Sequence, residues 1–277
     1  MPQLVRGPAA APDEIMTAGI FLAALRYDRA VVLGSIVVVI VLAWTYLLLG
    51  AGIQMDMMDM GGGQWMAMLP EWTLGYALII FVMWAVMMVA MMLPSAAPVT
   101  LLVASIARKR SDAGSAAGAS TALFVFGYLA LWFGFAAAAT VLQWALDVAG
   151  LLSEEMAFAN AVLAGGVLVA AGVYQWTPLK EACLRHCRSP LDFLMFHWRE
   201  GALGAFTSGM RHGAFCLGCC WMLMALLFVG GIMNLVWIGA IALLVLIEKT
   251  LPWGGRTSRV TGALLVAWGA SALLMAA

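Results

Sequence analysis

The sequence predicts an all-α, polytopic membrane helix bundle of about seven transmembrane helices, with the N-terminus inside and the C-terminus outside. Three observations carry that expectation. The chain of 277 residues is 65% hydrophobic and only 10% charged. Its apolar runs recur at the length of a bilayer crossing, about 20 residues at 1.5 Å rise each. Every lysine and arginine falls in alternate segments between those runs. Net charge is zero, which removes any bulk electrostatic case for nucleic acid.

Residues 1–30 read as a cytoplasmic or interfacial segment. Ile15 to Leu25 is apolar but short, Arg26 and Arg29 follow it, and no small-residue cleavage site completes a signal peptide. Residues 31–277 then form one transmembrane domain. The first span is expected near Val31–Leu49. The second, near Leu74–Leu93, continues past Pro94 and Pro98 to about Ile106, because neighbouring helices can re-satisfy the carbonyls a proline frees. The third lies near Ala122–Leu146 and the fourth near Phe158–Tyr174. The fifth reaches Val229 and must start well before Cys216. The sixth and seventh lie near Ile232–Ile247 and Val260–Met275.

Charge sets the orientation. Arg6, Arg26 and Arg29 precede the first span. Arg108, Lys109 and Arg110 follow the second. Lys180, Arg185, Arg188, Arg199 and Arg211 follow the fourth, and Lys249, Arg256 and Arg259 follow the sixth. The opposite segments carry Asp56, Asp59, Glu71, Asp147, Glu154 and Glu155 and no base. Positive charge collects on the cytoplasmic side, so those basic segments are expected inside.

The 5 cysteines lie in two tight groups, Cys183-Leu184-Arg185-His186-Cys187 and Cys216-Leu217-Gly218-Cys219-Cys220, both at the inner side. That compartment is reducing, which favours metal binding or thiol chemistry over a structural disulfide. Residues 176–201 form an expected ordered cytoplasmic loop. Thr177-Pro178 reads as a hydroxyl cap followed by proline at the first helical position. The helix it opens carries Cys183, His186 and Cys187 at i, i+3 and i+4, on one face. Ser189-Pro190-Leu191-Asp192 restarts an interfacial helix bearing Phe193, Phe196, His197 and Trp198. In the fifth span His212, Cys216 and Cys219 lie within about 60° of one another on a helix, with Cys220 on the adjoining stripe. Soft donors at these spacings suit copper(I) or zinc. The plainer reading is that cysteine packs as a small hydrophobe, which three in five residues near a second thiol group argue against.

Methionines occupy the outer route. The loop after the first span reads Met55-Asp56-Met57-Met58-Asp59-Met60, then Gly61-Gly62-Gly63, Met66 and Met68. It is expected to be a flexible collector of soft cations, since thioethers select copper(I) and remain usable on an oxidising face. In the second span Met83, Met87 and Met91 form an i, i+4, i+8 ladder beside Met88 and Met92, a candidate relay. Methionine is also a common filler of helix interfaces, and the ladder alone does not separate the two roles. Glu248-Lys249 reads as an interfacial pair, and Asn234 and Gln143 as bridges between helices. Phosphate-loop, catalytic-triad and paired-carboxylate patterns are absent, so no enzymatic role is expected.

The stretches Met83–Pro94, Tyr174–Lys180 with Cys183, His186, Cys187, Ser189 and Pro190, and His212-Gly213 through Cys216, Cys219, Cys220 and Trp221 resemble a bacterial domain-of-unknown-function family of predicted metal-binding integral membrane proteins. Asn234-Leu235 and Glu248-Lys249 complete the match. The resemblance runs from about residue 75 to 275, and the Met55–Met68 loop lies outside it. It implies metal binding, with copper handling often suggested. The resulting expectation is a multi-pass protein of the bacterial inner membrane that binds copper(I) in transport, delivery or homeostasis. Its partners are the lipid bilayer and a copper-dependent or copper-carrying protein. Two rivals stand beside it: a membrane thiol oxidoreductase using Cys216 and Cys219 against Cys183 or Cys187, and a scaffold pinned by a structural zinc site.

Overall fold

The computed structural model describes residues 12–52, 56–59, 65–68, 71–110, 114–153, 155–189, 191, 194–195, 198–199 and 201–276. Helix dominates. In chain order the elements are α1 (Pro12–Leu48), strands β1 (Asp56–Asp59) and β2 (Trp65–Met68), α2 (Leu74–Arg110), α3 (Gly114–Val148), α4 (Ala161–Tyr174) and α5 (Pro178–Arg188). They continue with α6 (Gly201–Ala225), the single turn α7 (Leu227–Gly230), α8 (Leu235–Thr250) and α9 (Gly254–Ala276).

Several expected features are present. α2 runs unbroken through Pro94 and Pro98. Thr177 caps α5 by accepting from the Lys180 amide, with Pro178 in the first turn. Gln143 bridges helices as expected, accepting from Trp84 Nε1 at 2.7 Å. Other expectations need correction. The methionine segment is not an irregular loop throughout: β1 and β2 pair antiparallel, Met57 opposite Ala67 and Met58 opposite Met66. Two short runs on either side of a glycine stretch can close such a ladder. Asn234 bridges as expected, donating to the Gly230 carbonyl at the end of α7 at 3.1 Å, and it also caps its own helix by accepting from the Trp237 amide at 3.1 Å. α1 is one continuous helix, and its part apolar enough to cross a membrane is Ala30–Leu48. The restart at Ser189-Pro190 falls largely outside the described residues.

Among the described residues, five helical segments are long and apolar enough to cross a membrane: 30–48, 74–108, 118–148, 201–230 and 254–276. A sixth is added if α4 and α5, bent 64° at their junction, count as one span. The expected fourth and sixth crossings are helices of 14 and 16 residues. At 1.5 Å per residue these are about 21 and 24 Å long, short of a 30 Å hydrocarbon core. Length therefore supports fewer crossings than the apolar pattern predicts. The large aliphatic side chains that face outward, such as Leu42, Leu142, Leu243 and Leu264, form a surface suited to lipid rather than water.

Helix directions alternate. Trp84 meets Gln143 while the Met92 carbonyl accepts from Tyr128, so α2 and α3 are antiparallel. Trp84 packs against Phe228 of α7 and Met92 against Cys220 of α6, so α2 runs opposite to the chain through α6 and α7. α8 opposes α6, because Trp237 bonds to the Leu226 carbonyl and Lys249 reaches Cys216.

Glycine sets two of the closest approaches. A Cβ on Gly209 would lie 2.0 Å from the Phe124 carbonyl oxygen, and one on Gly127 2.1 Å from that of Phe206. The α3–α6 contact is therefore backbone against backbone, the packing that small residues permit in membranes. Gly209→Ala is expected to force α3 from α6 and lower stability by about 1–3 kcal/mol, as overpacking does. Gly134→Ala, with open space at its Cβ, is the matched control. Thermal unfolding in detergent reads the difference.

Candidate metal centre

The site forms where α2, α3, α5, α6 and α8 meet. Helical periodicity turns His212, Cys216, Cys219 and Cys220 inward on α6, and all four are buried. α5 is a short amphipathic helix whose cysteine face lies on α6. Gly218 makes room for it: a Cβ there would stand 2.7 Å from Cys183 Sγ. The Tyr174 hydroxyl donates to the Gly218 carbonyl at 2.5 Å and ties the end of α4 to the same turn.

Sulfur converges here in two pairs. Cys187 Sγ lies 4.0 Å from Cys219 Sγ. Cys220 Sγ lies 3.9 Å from Met92 Sδ. With metal–sulfur bonds of about 2.3 Å, as for zinc, two sulfurs on one ion lie no more than about 4.6 Å apart, so both pairs fit a shared soft ion. The Cys219 and Cys220 thiols also donate to the Cys216 carbonyl, at 3.1 and 2.9 Å, which fixes their orientation. All five cysteines are free thiols.

Not every expected ligand joins these pairs. Among the described residues no group of three or more His, Cys, Asp or Glu side chains converges on a common metal position. His186 stacks flat on Phe215, with centroids 4.2 Å apart, and its Nδ1 lies 2.8 Å from the Ala182 carbonyl oxygen. His212 packs between the rings of Phe124 and Tyr128, at 6.0 and 5.7 Å. Met83, Met87, Met88, Met91 and Met92 are all buried in the bundle core. Met57 and Met58 belong to β1, while Met55 and Met60 lie outside the described residues.

Three contributors were not legible as such. Lys249 is buried and donates to Cys216 Sγ at 2.8 Å and to Ser95 Oγ at 3.3 Å. Tyr128 sets its hydroxyl 3.0 Å from the same sulfur. Cys216 is thus engaged by an ammonium and a phenol. Glu248 does not pair with its neighbour Lys249, as the interfacial reading expected, but with Lys180 at 2.7 Å. Adjacent residues on a helix point about 100° apart, so the two charges serve different partners. A lysine next to a glutamate at the end of an apolar run was the available signal, since buried charge needs a partner.

On α5, which is not one of the five helical segments long and apolar enough to cross a membrane, burial and the nearby Cys219 push the Cys183 thiol up from its ordinary value. The hydrogen bond to Cys219, together with burial, pushes Cys187 up further. Both therefore stay protonated near neutrality, and a metal ion entering the Cys187–Cys219 pair must displace a proton.

Fold and site together define a predominantly helical bundle, with several helices long and apolar enough to cross a membrane, around a thiol–thioether cluster. Residues 81–272 match PpoB2, a family of copper chaperones, and the chain belongs to that family. Neither a curated protein nor a solved structure matches it. The matched span includes all five cysteines, the second-span methionines and Lys249, and excludes the β1–β2 segment. Membership gives the chain a copper-related function.

Proposed function

We propose that this protein is an integral membrane protein, set in the bacterial inner membrane with its N-terminus inside, that binds copper(I) as cargo for transport or for delivery to a partner protein. The two sulfur pairs, Cys187 with Cys219 and Cys220 with Met92, carry the reading. Drawn from three helices and joined through the neighbouring Cys219 and Cys220, soft donors at these distances favour a soft monovalent ion over hard cations. Cys219 and Cys187 act as the inner thiol pair, and Cys220 with Met92 links it to the methionine-lined core of α2. Met83, Met87, Met88 and Met91 continue outward as the relay. Met55, Met57, Met58 and Met60 serve as collectors, with Asp56 and Asp59 drawing the cation in. Cys183, His186 and His212 shape the surroundings of the pairs.

The test is metal content of the purified protein from cells supplied with copper or with zinc. Near-stoichiometric copper, and little zinc, is the expected result. Absence of metal under both conditions sinks the reading, and a reversible Cys187–Cys219 disulfide in that metal-free protein favours the oxidoreductase instead. Proton displacement gives a further expectation. Where one thiol proton leaves per ion bound, copper affinity falls about tenfold for each pH unit of acidification below the thiol's pKa. Competition against a copper(I) chelator at several pH values reads that slope.

A further inference from the structure

A polar cavity lies at the junction of α4, α5 and α9. It has a volume of about 370 Å³ and is lined by Gln175, Thr177, Arg185, Arg188, Ser258 and Arg259 among others. Lys180 and Glu181 also line it. Its size lies within the range of small-molecule sites.

Charge in this cavity is unbalanced. Lys180 is neutralised by its buried contact with Glu248. That leaves three arginines against one carboxylate, Glu181, along the wall. Arg188 is anchored by donating to the Leu251 and Pro252 carbonyls, whereas Arg185 and Arg259 are exposed side chains at the rim.

A second observation points to a ligand. Gln175 is only 5% exposed. Its Oε1 accepts from Lys180 Nζ, which turns the amide nitrogen the other way. That Nε2 is buried with no partner among the described residues. An unsatisfied buried donor costs about 1–3 kcal/mol, and here it belongs to a residue lining a basic cavity. An acceptor with negative charge satisfies both the orphan amide and the excess of guanidinium. Trp176 stands half-exposed beside it, its Nε1 bonded to the Arg259 carbonyl, as an aromatic at a membrane interface does.

We infer that this cavity binds a phosphate-bearing anion, received by Gln175 Nε2 and held by Arg185 and Arg259. Guanidinium forks match phosphate oxygens in pairs, which is why arginine rather than lysine dominates such sites. The group is either the headgroup of an anionic phospholipid or a free phosphate, and both present the same oxygens. The inference is independent of copper.

The test uses the full-length protein, delipidated in detergent. One arm reconstitutes it with phosphatidylglycerol or with phosphatidylcholine and counts retained lipid by native mass spectrometry. The other titrates inorganic phosphate and follows tryptophan fluorescence. Retention of phosphatidylglycerol over phosphatidylcholine supports the headgroup source, and saturable phosphate binding supports the free anion. In either arm the double variant Arg185→Gln/Arg259→Gln is expected to weaken binding by roughly tenfold or more. Both residues are exposed, so the fold should survive, and the lysine pair Arg185→Lys/Arg259→Lys should recover part of the loss. Equal retention of both lipids without phosphate binding overturns the inference. Binding unchanged in the glutamine variant overturns it as well.

Discussion

Cys219→Ser is expected to remove high-affinity copper binding. Cys219 is the one thiol that both approaches Cys187 across the α5–α6 contact and sits next to Cys220 in sequence. Serine keeps the volume close but offers a hard oxygen in place of a soft sulfur. The loss should exceed the 10- to 100-fold typical of an outer-shell partner, because a donor itself is gone. Cys220→Ser and Met92→Leu should each cost less, since each leaves the Cys187–Cys219 pair intact. Cys183→Ser should cost least, because Cys183 packs on Gly218. Chelator competition on the purified variants gives the ranking, and equal effects for Cys183 and Cys219 would show that the sulfur pairs are wrongly drawn.

Lys180→Met should be the most destabilising single change away from the sulfur cluster. Lys180 and Glu248 are almost fully buried, with side chains 1% and 3% exposed. Removing the lysine strands a carboxylate in the bundle, which typically costs about 3–5 kcal/mol. The pair joins α5 to α8, so its loss should also loosen α5, and with it Cys187, from α6. Replacing both partners, Lys180→Met with Glu248→Leu, should recover most of the stability, because an apolar pair of similar volume avoids the desolvation cost. Unfolding temperature in detergent and copper affinity should fall together in the single variant. A single variant as stable as the double one would mean that Glu248 finds another partner or takes up a proton.

Much of this arrangement was readable from residue order. Apolar runs marked α1, α2, α3, α6 and α9, because lipid-facing and core-facing sides are both hydrophobic and periodicity is not needed. Thr177-Pro178 marked the start of α5 to the residue, since cap chemistry is local. The inward stripe of Cys216, Cys219 and Cys220 followed from helical spacing alone. What spacing does not encode is which stripe on another helix lies opposite. Met92 rather than Met91 meets Cys220, and only the α2–α6 register decides that. Lys249 facing Cys216 depends likewise on how α8 is rotated. His186 sits i+3 from Cys183 as expected, yet stacks on Phe215, because an aromatic ring on α6 offered it a flat apolar surface. The length of α4 was overestimated, because apolar residues before Ala161 continue the hydrophobic run without continuing the helix, whereas α8 has the expected 16 residues and starts three residues later.

The central claim is that copper is held by sulfur in the core of the bundle, and X-ray absorption at the copper edge of the copper(I)-loaded full-length protein tests it most directly. The account predicts a first shell of sulfur alone, two or three donors at about 2.3 Å, with a sulfur contribution that shrinks in Cys219→Ser. A shell dominated by nitrogen or oxygen, or a spectrum unchanged by Cys219→Ser, would contradict it.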